Sequence, residues 1–120
     1  MKKMLVFIAL ALAVSSLKAQ EVSSHFLQVT TIESVVGAGA GRSKMIITKE
    51  DGSQEERDLE NLFSLTGINF RNIKDNENKI LQTLKAFTDA GWKLTSTVPL
   101  TLSPGQNGSG IFMTRYLFTK

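Results

Sequence analysis

The most regular hydrophobic pattern in the chain begins at residue 80. Ile80, Leu84 and Phe87 recur at the spacing of one helix face, and Leu81 widens this apolar stripe. A helix of about fifteen residues is marginal in isolation, so we expect this one to be held by packing of its apolar stripe. The opposite face is polar and carries Lys79, Gln82, Lys85 and Asp89.

Short polar residues and a glycine predict the two ends of this helix. Asp75 or Asn76 is a suitable N-cap, because a short side-chain oxygen accepts hydrogen bonds from the free N–H groups of the first turn. Gly91 is expected to end the helix, since glycine adopts the left-handed conformation at little steric cost. The period then changes to two, which predicts a half-buried strand over residues 92–98 that stops pairing at Pro99.

Three other segments have the β-branched and aromatic composition of strands. Residues 25–36 and 45–48 predict the first two strands, and residues 111–119 predict the last and most apolar one. Asp51-Gly52 is a strong turn sequence, and the charged residues 49–60 around it are predicted to be solvated.

The remaining segments predict connections. Residues 37–41 and 103–110 are rich in glycine and indicate loops. Residues 59–65 predict one or two helical turns, and residues 67–73 an irregular apolar connector. The fold class expected is α+β: a mostly antiparallel sheet of about four strands with one long helix packed on one face.

Residues 1–19 have the pattern of a secretory signal peptide. Lys2 and Lys3 precede a continuous apolar run over residues 4–14, which is too short to span a membrane comfortably. Ala19 is the favoured cleavage residue, with Ser16 as the alternative; an uncleaved N-terminal anchor is the second interpretation. We therefore expect an exported protein, periplasmic or secreted, with a single α+β domain over residues 20–120.

The formal net charge of +3 comes from the predicted signal peptide. Lys2, Lys3 and Lys18 lie within it and no acid does, so eleven basic and eleven acidic residues remain in the mature chain. The basic pI is then no evidence for binding nucleic acid or an anionic membrane. The absence of cysteine from the sequence means that an exported domain must hold its core without disulfides.

The sequence indicates no catalytic residue, metal site or cofactor. His25 is the only histidine, without a nucleophile or metal-ligand partner at suitable spacing. Arg42, Ser43 and Lys44 follow a glycine-rich run and are weak candidates for an anion site; however, a phosphate-binding loop leads into a helix, whereas a strand is predicted here.

Two further features have ordinary structural explanations. An acidic cluster at residues 50–60 lacks the ligand spacing of a calcium-binding loop, so a solvated turn is the default interpretation. Trp92 could stack on a ligand, but its place between a helix end and a strand favours a core position.

The helix and closing strand resemble the domain of unknown function 4177 family. The resemblance covers the first strand and about the last forty residues; a Gly-Trp-x-Leu motif ends the helix and a final aromatic strand follows. It implies a compact α+β domain, without an activity, substrate or site. The segment 37–74 is longer than the family pattern and is similar to small exported bacterial proteins that insert a hairpin there. The positions that carry the resemblance are Ile80, Leu81, Leu84, Phe87, Gly91, Trp92, Leu94 and residues 116–120.

The closing strand is apolar on both faces, whereas one helix covers only one face of a sheet. Either segment 59–73 folds across the second face, which we favour because its apolar residues also need burial, or another subunit covers that face.

The function expected is a non-enzymatic binding or assembly module of the bacterial cell envelope, with self-association or a protein partner through a sheet face. The alternative is a small hydrolase-like periplasmic enzyme whose site the sequence does not show.

Overall fold

The computed structural model describes residues 24–36, 42–102 and 110–120. These residues form a five-stranded antiparallel sheet of order β3-β2-β1-β7-β6, a separate two-stranded hairpin and one helix. The predicted α+β class is confirmed, with five strands in the sheet rather than four. The strands of the sheet are β1 (Phe26–Ser34), β2 (Ser43–Lys49), β3 (Gln54–Leu59), β6 (Lys93–Leu102) and β7 (Ile111–Thr119). The hairpin comprises β4 (Phe63–Ser64) and β5 (Gly67–Ile68), and the helix is α1 (Phe70–Asp89).

The charged residues after the Asp51-Gly52 turn are exposed, as predicted, but they form a strand rather than an extended turn region. Gly52 has φ 81°, and Asp51 Oδ1 accepts a hydrogen bond from Ser53 N at 2.9 Å, so the turn itself is as predicted. The chain then returns as β3, whose Leu59 pairs with Ser43 of β2. An edge strand is compatible with many charges, because one side of its backbone and much of its side-chain surface stay in water.

Residues 59–65 do not form the predicted helical turns. Leu59 completes β3 and is buried, and the chain then makes the short β4–β5 hairpin. Leu62 N donates to Ser34 O at 3.0 Å, and Asn69 N donates to Leu62 O at 2.9 Å. The hairpin is therefore anchored beside the end of β1 and leads directly into α1.

The N-cap of the helix lies seven residues before Asn76, the later of the two predicted caps. Asn69 is the N-cap, and its side-chain oxygen accepts from Arg71 N and Asn72 N, both at 3.2 Å. Residues 67–73 are thus not an irregular connector, because their second half is the first turn of α1. Gly91 follows the helix with φ 87°, as predicted.

The apolar face of α1 is rotated relative to the prediction. Ile80 is buried and Leu84 and Phe87 pack against the core, but Leu81 is 66% exposed and Thr83 is buried in its place. Thr83 Oγ1 donates to Lys79 O at 2.9 Å and accepts from Arg57 Nη1 of β3 at 3.0 Å. The buried apolar core comprises Leu27, Val29, Met45, Ile47, Leu59, Ile80 and Phe118.

Strand β6 continues past Pro99, where the sequence predicted that pairing would stop. Pro99 pairs in register with Thr114, and the strand runs on to Leu102. A register shift between Leu94 and Ser96 also changes the predicted alternation. Leu94 is aligned with the core residue Phe118, whereas Val98 is aligned with Arg115. The side chains of Leu94 and Val98 therefore lie on opposite faces of the sheet.

Candidate functional site

The sheet face opposite α1 carries an apolar surface that is densest on β6 and β7, whereas Lys44, Glu56 and Asp58 lie on the same face towards the β3 edge. Side chains alternate along strands, so residues aligned across the register lie on one face. Leu100 and Leu102 of β6 are 42% and 66% exposed, while Met113 of β7 beside them is half-buried. We call this surface the open face and define it by Phe26, Ile32, Ile46, Val98, Leu100, Leu102, Ile111, Met113, Arg115 and Leu117.

The segment expected to cover the open face does not do so on the β6 side. It is tied to the end of β1, where Asn61 Nδ2 donates to Val36 O at 3.0 Å. Its own Ile68 and Phe70 are 57% and 70% exposed. The short hairpin cannot both occupy the end of β1 and extend across strands of nine and ten residues, so the favoured sequence interpretation was wrong here.

Strand β6 lies at one edge of the sheet, and all ten of its residues are exposed. His25 and Lys120 exchange both N–H···O bonds, at 2.9 and 3.1 Å. In an antiparallel ladder, hydrogen-bonded pairs alternate with pairs that are not hydrogen-bonded. Counted from His25 and Lys120, the pair Thr30–Arg115 is not hydrogen-bonded, so the N–H and C=O groups of Arg115 point away from β1 and towards β6. Its partner Val98 therefore directs its own N–H and C=O groups towards β7. The next residue, Pro99, therefore directs its ring nitrogen towards the outer edge, where it offers no donor to another strand.

The other edge of the sheet is protected by charge. Four consecutive charged residues form the middle of β3, from Glu55 to Asp58. Arg57 Nε bonds Glu55 Oε1 at 2.7 Å, and Lys79 of α1 donates to Asp58 O at 3.2 Å. Proline and charged side chains both oppose pairing with a further strand. A partner of this sheet is therefore expected to contact its open face rather than to extend its edges.

A second feature is a cavity of about 400 Å³ at the end of the sheet beside the helix C-terminus. Leu27, Phe87 and Trp92 supply apolar walls, and Lys49, Glu50 and Asp51 are among its polar lining residues. Trp92 N donates to Phe87 O at 3.0 Å. Trp92 packs against the core, as expected, and is also one of the cavity walls.

His25 holds one of the carboxylates of this cavity. Its Nδ1 lies 3.0 Å from Glu50 Oε1, and Phe26 N donates to Glu50 Oε2 at 3.2 Å. These hydrogen bonds lower the pKa of Glu50, and the bonds from Ser53 lower the pKa of Asp51. Both acids favour the ionised form, so neither is kept protonated as a general acid would be.

A polar network joins α1 to the sheet. Asn76, the other predicted cap, is completely buried; its Nδ2 donates to Glu33 Oε1 at 3.1 Å and to Glu60 O at 2.9 Å. Burial raises the pKa of Glu33, with the negative charge of Glu77 acting in the same direction. Every contact of Asn76 here joins protein groups, so the network has a structural role.

The three candidate anion-binding residues do not point to one place. Ser43 is buried, and its Oγ accepts from Ser34 N at 2.9 Å. Lys44 forms an ion pair with Glu56, and this hydrogen bond raises its pKa. Successive strand residues project to opposite faces, so Ser43 and Lys44 diverge, while Arg42 is exposed before the strand. The anion site stays a prediction.

Within the described ranges, the acidic residues and His25 form no cluster of three that could hold a metal ion. No helix in that part of the chain combines the length and hydrophobicity needed to cross a bilayer. The predicted signal peptide, the 37–41 loop and residues 103–109 lie outside the described ranges.

The sequence indicated the open face but not the cavity. The two-sided apolar pattern of residues 111–119 gave the signal for an additional contact surface. The cavity brings His25 and Glu50 together with Phe87 and Trp92, which lie far away in the sequence. No spacing rule connects such residues, so only the fold reveals their proximity.

Comparisons with protein-family models, curated proteins and solved structures gave no match to this chain. The resemblance to the domain of unknown function 4177 family therefore stays a prediction.

Proposed function

We propose that this chain is an exported, non-enzymatic assembly module of the bacterial cell envelope, whose open face docks against a second copy of the same chain. The observation that carries this proposal is the exposure of Val98, Leu100 and Leu102 on a face that α1 does not cover. Contiguous apolar surface of this kind is typical of an interaction site rather than of a free monomer surface.

The size of the sheet face suits a stable dimer. Strands spaced about 4.8 Å apart, with about 3.3 Å per residue, give the four strands that carry the open face a flat area of roughly 550 Å². The relief of the side chains raises the accessible area above this value. Specific interfaces bury from about 600 Å² per partner upwards, so two such faces packed together reach the lower end of the required size.

The distribution of charge also favours contact between open faces. Arg115 is the charged residue of this face on β6 and β7, and its flanking neighbours on the same side of β7 are Met113 and Leu117. The charges on the same side of β2 and β3 include the ion pair of Lys44 with Glu56. An arginine side chain can lay its aliphatic stem on apolar surface and direct its guanidinium to the rim. With α1 on the outer side of each sheet, such a dimer has four layers, helix–sheet–sheet–helix.

The proposal of export is supported by the charged start and apolar run of residues 1–19. Intact-mass measurement of the protein recovered from the cell envelope should give a chain that starts near Gln20. Recovery of the full-length chain from the cytoplasm would contradict export without affecting the argument for the open face.

Sedimentation equilibrium of the mature chain tests the assembly proposal. We expect a monomer–dimer equilibrium at micromolar concentration that Leu100→Glu weakens by at least about tenfold, because the interface would bury an unpaired carboxylate. Leu81→Glu is the matched control, since Leu81 is exposed on α1, and it should leave the equilibrium unchanged. A wild-type chain that stays monomeric at high micromolar concentration, or equal effects of both variants, would reject a second copy as the occupant.

A further inference from the structure

The cavity beside Trp92 has two chemically different parts. Its walls include the side chains of Leu27, Phe87 and Trp92. Phe87 is fixed against Phe118, with ring centroids 5.7 Å apart and a tilt of 54°. Leu27 is a buried core residue, so these walls belong to the packed part of the fold and form a supported apolar surface.

The rim carries hydrogen-bonding groups of both signs. Lys49 is a donor, and Glu50 and Asp51 are acceptors. Glu50 is oriented by His25 and by the backbone of Phe26, and Asp51 is oriented by Ser53 N at 2.9 Å. Polar groups whose positions are fixed before binding lose less conformational entropy when a ligand arrives.

These two parts together define a class of ligand. Lys49 offsets one of the two negative charges of Glu50 and Asp51, so the rim keeps only a small net charge and favours a neutral ligand over a strongly anionic one. The apolar walls require a ligand with a C–H face, and the rim requires several hydroxyl groups at its edge. A pyranose ring combines these properties, since its axial C–H groups pack on an aromatic ring while its equatorial hydroxyls donate and accept.

We propose that the cavity formed by Phe87 and Trp92, with Lys49, Glu50 and Asp51 at its rim, binds a pyranose unit of a saccharide. The volume of about 400 Å³ lies within the range of small-ligand pockets, which is about 300–1,000 Å³. The cavity is open to solvent at the end of the sheet, so a terminal or branching sugar can enter while the remainder of a longer saccharide stays outside.

Trp92 is the only tryptophan in the chain, so its fluorescence reports on this cavity alone. The probes are methyl β-glucopyranoside, methyl β-galactopyranoside, methyl α-mannopyranoside and N-acetylglucosamine. Sorbitol offers hydroxyls without a ring face, and cyclohexanol offers a ring face with one hydroxyl. We expect saturable titration with at least one pyranose, with amide NMR shifts centred on Glu50 and Trp92.

The double variant Glu50→Gln/Asp51→Asn should weaken binding of that pyranose by about tenfold or more, because it removes the two charged acceptors. The control Asp58→Asn changes an acid on the outer strand β3, away from the cavity, and should bind like the wild type. The proposal is overturned if none of the four pyranoses binds up to about 50 mM, or if cyclohexanol binds as tightly as the best of them. Equal affinity of the double variant and the wild type would also overturn it.

Discussion

Asn76 on α1 donates a hydrogen bond to Glu33 on β1 over 3.1 Å, although 43 residues separate them in the sequence. The same side chain also accepts from Glu60 N at 2.7 Å and donates to Glu60 O. One buried amide thus joins the helix, the central strand and the segment that precedes the β4–β5 hairpin. Leaving any of these buried groups without a partner is costly, which explains why a polar side chain occupies this place.

The stability of the fold should depend on the protonation of Glu33. Burial raises the pKa of Glu33 above its ordinary value of 4.5. The folded chain therefore binds this proton more tightly than the unfolded chain. The resulting contribution to the free energy of unfolding is fully present below about pH 4.5 and is lost as the pH rises through the folded-state pKa of Glu33. Glu33→Gln should consequently gain stability relative to the wild type as the pH rises from 4 towards 7, as measured by urea unfolding.

Two comparisons isolate this effect. The lowered pKa values of Glu50 and Asp51 make stability fall as the pH is lowered, but they act in both proteins and cancel in the difference. Glu77 raises the pKa of Glu33 by charge repulsion, so Glu77→Gln should move the wild-type transition to lower pH. A difference between Glu33→Gln and the wild type that does not change with pH would contradict this explanation.

The start of α1 can be tested by removing its cap. Asn69→Ala removes the acceptor for Arg71 N and Asn72 N and should lower the free energy of unfolding by about 1 kcal/mol. Asp75→Ala is the control, because Asp75 is an exposed residue inside the helix, and its effect should stay within about 0.5 kcal/mol. Equal losses in urea unfolding would show that the helix begins nearer Asp75.

Pro99 should prevent strand-to-strand association at the β6 edge. Pro99→Thr supplies an outward N–H and removes the ring, so we expect species larger than a dimer in light scattering as the concentration rises. Thr97→Val is the matched control, since it raises β-propensity at an edge position without adding a backbone donor. Identical mass distributions for the two variants would show that Pro99 does not protect this edge.

The sequence predicted those elements whose periodicity coincides with burial. Leu27 and Val29 alternate with more exposed residues and therefore mark β1, and Ile80, Leu84 and Phe87 mark the packed half of α1. The first turn of α1 was missed because its Phe70 is exposed, so the apolar stripe does not extend to it.

The remaining errors have local physical causes. Strand β3 was missed because an edge strand has no need of an apolar pattern. The register shift near Thr95 moves the residues of β6 that follow it to the opposite faces of the sheet. No change in the alternation of apolar and polar residues indicates this shift in the sequence. The two-sided pattern of β7 did predict an apolar second face. That the segment before α1 does not cover this face depends on its hydrogen bonds to Ser34 and Val36.

The rate of thiol labelling at a single introduced cysteine tests most directly whether the open face is buried in the assembly. The chain has no cysteine, so Leu100→Cys and Leu81→Cys each give one reporter, on the open face and on the solvent side of α1 respectively. We predict that maleimide labelling of Leu100→Cys slows several-fold as the concentration rises through the dimer equilibrium, while Leu81→Cys stays constant. Labelling of Leu100→Cys at one rate across that range would contradict the proposal that the open face is the surface on which this chain assembles.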